Sequence, residues 1–251
     1  MAEEKNQSVQ YIINHLLQQL YLNKIVPGEK LPPFRNHAKE LGVDPSSLRT
    51  ALKQMESMNL LEIKRSDGAY VNDFMKHAGI DFLSQLFAIS ESEDPDHVVD
   101  EYLVDEVFAF WNMVFPEIMF VASNHFSALD MKKIIEILDN QLAHVDDIEM
   151  LTELDIVMQD IVGELSHNMV VTLLFNSLKA IRYRITAVFY RELDRESRIQ
   201  FLQMKKKGLC RQMSGNLDLK WSSEEHRKAL ETYRQKIRQS MLGKVFQKDI
   251  A

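Results

Sequence analysis

Cysteine is almost missing from this chain. Cys210 stands alone among 251 residues, so no internal disulfide can staple the fold, and a reducing cytoplasm is the expected compartment. Glycine and proline are also sparse, at 8 and 6 residues, which leaves long helices few interruptions. No uncharged apolar run approaches the ~20 residues of a membrane span. The polar, acidic start MAEEKNQSVQ lacks the apolar stretch of a signal peptide. A Gly-rich phosphate loop, a Cys-x-x-Cys pair and a His-Glu-x-x-His motif are all absent. His125, His144, His167 and His226 are scattered, and acidic pairs such as Asp146-Asp147 read as solvated helix faces or starts. The chain therefore offers no catalytic residue, cofactor motif or membrane partner, and an enzyme is unsupported.

What the chain does have is a compact pattern between Phe34 and Val71. Phe34, Ala38 and Leu41 fall at spacings of four and three, one apolar stripe of a two-turn helix. Gly42 ends that helix, since glycine adopts positive φ at little cost. Asp44 is suited to cap a second helix, with Pro45 at its first position, where a missing N–H costs nothing. This second helix, running to about Met58, buries Leu48, Leu52 and Met55 and turns Ser46, Ser47, Arg49, Thr50 and Lys53 the other way. Two short helices around a glycine turn make a helix-turn-helix at about residues 34–53, whose second helix would enter a major groove.

A hairpin follows. Leu60–Lys64 and Ala69–Val71 alternate apolar and polar residues on either side of Asp67-Gly68. Lys64 and Arg65 at its tip could reach phosphates or a minor groove, which makes it a wing.

The segments PGEKLPPFR (27–35) and ELGVDPSSLRTALKQMESMNLLEIKRSDGAYV (40–71) resemble the winged helix of GntR-type transcription regulators, and within them the fatty-acid-responsive FadR branch. The matching residues are Pro27, Gly28, Leu31, Pro32, Arg35, Gly42, Val43, Leu48, Arg49, Leu52 and Gly68. The resemblance implies that Arg35 and Arg49 contact DNA, that Ser46 and Ser47 meet the backbone or base edges, and that Gly68 lets the wing approach the duplex. Lys53, Lys64 and Arg65 complete the expected interface. Pro45 stands where the family often has arginine, so a base-reading cation is missing at the start of the recognition helix.

The chain's net charge of −7 lies outside this region. Residues 1–74 carry nine Lys/Arg and nine Asp/Glu, so the excess acid belongs entirely to residues 75–251. Phosphate binding depends on local charge, and the basic side chains of the winged helix would cluster on one side. Ahead of them a helix is expected over about Ser8–Tyr21, with Val9, Ile12, Ile13, Leu16, Leu17 and Leu20 as its buried stripe, and then a loop over Asn23–Pro33. Asn72–His77 reads as a linker.

From Ala78 onward only helical periodicity appears. Ser90–Pro95 breaks the first helix, and Pro116 is expected to kink a long one over about 96–123. Further helices are expected near 127–142, 147–165, 168–192, 194–214 and 222–242, with Ser127 and Ser222 in capping sequences. The expected fold is mainly α: an N-terminal winged helix-turn-helix of three helices plus a β-hairpin wing (1–74), then an all-α antiparallel helical-bundle effector domain (75–251). Such a bundle can hold a ligand between its helices, and thirteen methionines suit an alkyl pocket.

Many regulators of this type bind a metal through one Asp and three His, beginning Asp-x-x-x-His. Here Asp155 is kept, Gln159 replaces the histidine, and Gln203-Met204-Lys205 replaces another, with a thioether expected at that place. No metal is expected, and Asp155 becomes a polar anchor. Leu154-Asp155, Ser166-His167-Asn168, Leu173-Leu174 and Tyr183-Arg184-Ile185 fall in an order similar to the FadR branch. That likeness implies an acyl-CoA or related apolar effector, with Asp155 and Tyr183 as candidate contacts. Departures occur at Val104-Asp105-Glu106, where the branch has arginine, and at Arg234, Ile237 and Met241, where it has Gly, Ser and Trp.

The expected partners are a near-palindromic double-stranded DNA operator, a small-molecule effector and a second copy of the chain. Repression and activation both remain open. Two other readings also stand: a regulator answering to a small carboxylate metabolite, and a helical partner-binding or enzyme domain whose winged helix serves protein interaction.

Overall fold

The computed structural model describes residues 2–89, 99–214 and 219–248. The chain forms two compact units, Met1–Val99 and Asp100–Ala251.

The first unit opens with α1 (Ala2–Tyr21), which starts six residues before the expected Ser8. Ile12, Leu17 and Leu20 are at most 1% exposed, against the apolar face of α3 (Pro45–Ser57). Between them lies α2 (Phe34–Glu40). Gly42, at φ +64°, closes α2 as expected. The Val43 amide returns to the Ala38 carbonyl (2.9 Å) and the Gly42 amide to Lys39 (3.2 Å), the paired bonds of a Schellman end. On α3, Leu48, Ala51, Leu52 and Met55 are all buried, a complete i, i+3, i+4, i+7 stripe.

The wing consists of β1 (Leu61–Lys64) and β2 (Gly68–Val71), paired antiparallel with Leu61 opposite Val71 and Lys64 opposite Gly68. Its loop is Arg65-Ser66-Asp67 rather than a turn centred on Asp67-Gly68. Ser66 takes φ +62° and Gly68 φ +138°. The supposed loop before α2 is partly ordered against the wing. Leu31 donates to the Ala69 carbonyl and Val71 to Glu29, both at 2.9 Å, so Lys30 stands opposite Tyr70 as in a third strand.

Beyond β2 the expected linker contains a short helix, α4 (Phe74–His77), capped by Asp73. After it, α5 (Ile80–Ala88) buries Phe82, Leu86 and Phe87 and packs on α1. Both belong to the first compact unit, which runs on past the end of the wing at Val71 as far as Val99. The break expected at Ser90–Pro95 lies outside the described residues.

The second unit is helical throughout its described residues: α6 (Glu101–Ser123), α7 (Ala128–Ala143), α8 (Ile148–Leu165), α9 (Met169–Ser177), α10 (Lys179–Glu192), α11 (Arg195–Met213) and α12 (Leu219–Lys248). The helix α6 packs on α12 and α8, α8 on α10, and α7 on α11. Pro116 sits inside α6 without ending it. By length and composition Tyr102–Ser123 could cross a membrane. In this fold it buries Val104, Phe108, Trp111, Phe115, Ile118 and Ala122 within the bundle. Ser127 and Asp130 form the expected capping box of α7. The helix expected at 222 begins earlier, at Leu219, and the side chains of Ser222, Ser223 and Met241 lie outside the described residues.

One expectation fails for a visible reason. The periodicity over 168–192 suggests a single helix, but it divides at Leu178, which caps both α9 and α10. The Phe175 carbonyl accepts instead from the buried Arg182 side chain, Nε to O at 3.2 Å. A guanidinium thus satisfies backbone that a continuous helix would have paired internally.

Candidate nucleic-acid interface and interior cavity

Two surfaces carry the chemistry, one in each unit. In the first, α3 presents Ser46, Arg49, Thr50 and Lys53, all exposed, at i, i+3, i+4 and i+7. The exposed Arg35 and Lys39 come from α2, and Lys64 and Arg65 from the wing tip. The Arg49 guanidinium rests 5.9 Å from the centre of the Phe34 ring, which limits its freedom. Lys64 is shared with Glu62 at 3.4 Å and with the Tyr70 ring at 4.5 Å.

Ser47 is a correction. It is 1% exposed, faces inward beside Ala51, and its hydroxyl donates to Asp44 Oδ2 at 2.6 Å. Asp44 also accepts the Ser46 and Ser47 amides at 2.9 Å each and the Ser46 hydroxyl at 3.2 Å. These bonds hold its carboxyl well below the usual range. Ser47 therefore builds the cap, and Ser46 alone of the two faces outward. With Pro45 in its first turn, α3 thus begins on a fully engaged carboxylate.

Asp67 ties the wing down. It accepts from Lys30 Nζ at 2.5 Å and from the Tyr70 hydroxyl at 2.7 Å. Gly68 is favoured here by its φ of +138°, and a Cβ would stand 3.1 Å from Cε of the flexible Lys30 side chain.

In the second unit, Asp155 is the centre of a buried polar chain drawn from four helices. The Tyr190 hydroxyl donates to Asp155 Oδ2 at 2.5 Å, and Lys205 Nζ lies 3.3 and 3.4 Å from its two oxygens. Gln141, fully buried, donates to Tyr190 Oη at 3.3 Å and to the Leu151 carbonyl at 2.9 Å. Burial and the neighbouring carboxylate push the Tyr190 phenol well up, so it stays protonated and donates. One turn along α8, Gln159 donates to Thr186 Oγ1 at 3.3 Å and accepts from Arg182 Nη1 at 3.2 Å. On α11 it is Lys205 that meets Asp155, while its neighbour Met204 lines the larger of the adjoining cavities.

Two cavities adjoin this cluster, of about 470 and 60 Å³. Lys205 and His226 line both, while Asp155 and Gln159 line the smaller. The larger lies among α6, α7, α8, α11 and α12, with walls that include Met119, Phe120, Ile134, Leu138, Met158 and Leu209. Its size is within the ~300–1,000 Å³ of small-molecule sites. Exposed Lys207, Arg211 and Lys228 also border it. His226 packs near Phe115 and Phe201, and burial, helped by Lys205, lowers its pKa to about 4.

Tyr183 is not part of this site. It is 40% exposed, on the side of α10 near Glu149 and Glu153, and lines neither cavity. Lys205, Tyr190, Arg182 and Gln141 are not legible in the sequence, because residues meeting from separate helices leave no spacing there. Among the described residues no cluster of three or more His, Cys, Asp or Glu could hold a metal.

Comparison with known proteins adds to this geometry. Residues 9–71 match the family described as bacterial regulatory proteins, gntR family. The chain is 35% identical over 75 residues to the HTH-type transcriptional regulator Mce2R of Mycobacterium tuberculosis, covering 30% of this chain and 31% of that one. It spans about a third of the length of the mycobacterial regulators it matches. A longer match reaches the fatty acid metabolism regulator protein of Shewanella frigidimarina, 24% identical over 176 residues and 70% of each chain. Among solved structures, Lar, which controls the expression of the Listeria monocytogenes agr system, aligns at a TM-score of 0.49 and 15% identity over 93% of this chain and 96% of that one.

Proposed function

Because residues 9–71 belong to the gntR family of bacterial regulatory proteins and longer matches run to fatty acid metabolism regulators, we propose that this chain is a FadR-like, GntR-type DNA-binding transcription regulator controlled by an acyl-type effector. It acts in the cytoplasm as a homodimer, reading a near-palindromic operator with residues 1–74 and binding its effector with residues 75–251. The observation that carries the DNA reading is the exposed face of α3 beside a basic wing. Ser46, Arg49, Thr50 and Lys53 meet the groove, Arg35 and Lys39 approach from α2, and Lys64 and Arg65 reach the flanking backbone. Two-fold symmetry of the dimer is mirrored in the half-sites.

The effector reading is supported by the apolar, methionine-lined cavity with cations at its border, which suits a hydrocarbon chain bearing an acidic group. Effector entry weakens operator binding through a coupling of ~1–3 kcal/mol. The test is an electrophoretic shift with DNA from upstream of the protein's own gene. Wild-type protein is expected to bind specifically and to be released by acyl compounds. Arg49→Ala is expected to abolish specific binding with the fold intact by circular dichroism. Equal operator affinity in Arg49→Ala would remove α3 from the interface. Absence of any specific shift would instead favour a winged helix used for protein interaction.

A further inference from the structure

The pair at the heart of the bundle has an imbalance. Asp155 is held from two sides, by the Tyr190 hydroxyl at 2.5 Å and by Lys205. Lys205 is less well served. Its side chain is only 9% exposed, yet its contacts to Asp155 are 3.3 and 3.4 Å, long for a charge-assisted bond of ~2.7–2.9 Å. An ammonium has three N–H donors, and the two oxygens of one carboxylate cannot take all three in good geometry. The Phe201 ring lies on another flank, 5.0 Å from Nζ. The same ammonium lines both cavities, and beside it in each stands His226, a neutral imidazole with one donor and one acceptor.

A buried cation with unused donors therefore opens onto a largely apolar cavity. Burying a carboxylate is costly unless it is paired and hydrogen-bonded, and this place supplies both conditions. Of the carboxylates that border the cavities, Asp155 is shared with Tyr190, and exposed Glu225 lies 3.3 Å from Lys228. Neither uses the remaining donor capacity of Lys205.

We propose that Lys205, with His226, is an interior receptor for the carboxylate of an alkyl-chain acid, the hydrocarbon lying along Met119, Phe120, Ile134, Leu138, Met158 and Leu209. This rests on the reading of the bundle as an acyl-effector site and narrows it. The ligand class becomes the free monocarboxylate, since an acyl thioester has no carboxylate to offer the ammonium. The exposed Lys207, Arg211 and Lys228 raise the local concentration of such anions without forming the receptor.

The experiment is calorimetric titration of the full chain with dodecanoate, dodecanol and dodecanoyl-CoA, three ligands sharing one hydrocarbon. Dodecanoate is expected to bind on the order of 100-fold more tightly than dodecanol, and more tightly than dodecanoyl-CoA. Lys205→Met is expected to reduce dodecanoate to the level of dodecanol while leaving dodecanol unchanged. Should the single variant fail to fold, the double variant Asp155→Asn, Lys205→Met removes both charges and carries the same expectation. Equal wild-type affinity for dodecanoate and dodecanol, or binding of dodecanoyl-CoA in preference to dodecanoate, would overturn the receptor and leave the acyl-effector reading standing. If none of the three binds, both fall.

Discussion

Arg182→Met should destabilise the helical unit by about 3 kcal/mol, a figure that follows from what the guanidinium touches. The side chain is 2% exposed and donates to three acceptors: Asp160 Oδ1 at 2.6 Å, Gln159 Oε1 at 3.2 Å and the Phe175 carbonyl at 3.2 Å. It also stacks 4.8 Å from the centre of the Phe175 ring. Asp160 is 48% exposed, so it rehydrates once its partner is gone, and that ion pair contributes no more than ~1 kcal/mol. The Phe175 carbonyl and Gln159 have no such recourse, and each loses ~1–3 kcal/mol if left unpaired. Loss of the ring contact adds ~0.5–1 kcal/mol, while relief from burying a guanidinium offsets part of the total. Arg182→Lys keeps the charge but not the planar fork, and should cost less, at ~2 kcal/mol. Asp160→Asn should cost under ~1 kcal/mol. The assay is urea unfolding followed by tryptophan emission, because both tryptophans, Trp111 and Trp221, belong to the second unit. Emission therefore reports that unit alone, which matters where two units need not unfold together. A shift in midpoint at constant slope gives the free-energy change. If Asp160→Asn cost as much as Arg182→Met, the energy would lie in the ion pair and the reasoning would fail. A loss below ~1 kcal/mol for Arg182→Met would refute it equally.

On the wing, Lys64→Ala with Arg65→Ala should lower the slope of log affinity against log salt by roughly 1–2, at ~0.9 per phosphate contact. Lys64 already shares its charge with Glu62, so Arg65 should carry more of the change, and an unaltered slope excludes the wing from the backbone. His226 titrates near 4 in the folded chain but near 6.5 when unfolded, so between these values the unfolded state binds the extra proton. Stability of the helical unit should thus be complete above about pH 6.5 and fall by ~2–3 kcal/mol on acidification towards pH 4. His226→Gln should flatten this window, and unfolding midpoints that are as steep in the variant would assign the effect elsewhere. Gly163→Ala would set a Cβ 2.9 Å from Phe175 Cδ2 and should destabilise by ~1–3 kcal/mol through overpacking, despite better helix propensity. A neutral or raised unfolding midpoint would show that Phe175 can move.

The winged helix was legible because its determinants are local. Gly42, Asp44, Pro45 and the stripe from Leu48 to Met55 lie within a few residues of what they specify. Ser47 departs from the outward face expected for it because it stands four residues before Ala51, on the inward side of α3, and the Asp44 cap draws in its hydroxyl. The strand-like run through Lys30 leaves no local signal because its partner, β2, lies nearly forty residues on. In the bundle, helix periodicity was plain, but the division at Leu178 depends on a side chain reaching back to a carbonyl. Tyr183 and Tyr190 show the limit well. Seven residues apart, they lie near the same face of α10, and only the surroundings at each level leave one exposed and the other sealed against Asp155.

The clamp on Asp67 has a consequence for genetics as much as for recognition. Lys30 precedes both helices of the helix-turn-helix, 37 residues before the wing loop, yet its ammonium helps to hold that loop in one conformation. The order of the loop is thus established when the domain folds, so meeting DNA need not freeze it again. A screen for lost operator binding should accordingly return Lys30 and Tyr70 together with Arg49. The first two would slow the formation of a competent wing and the third would remove a contact, a difference visible in association rates rather than in the list of defective alleles.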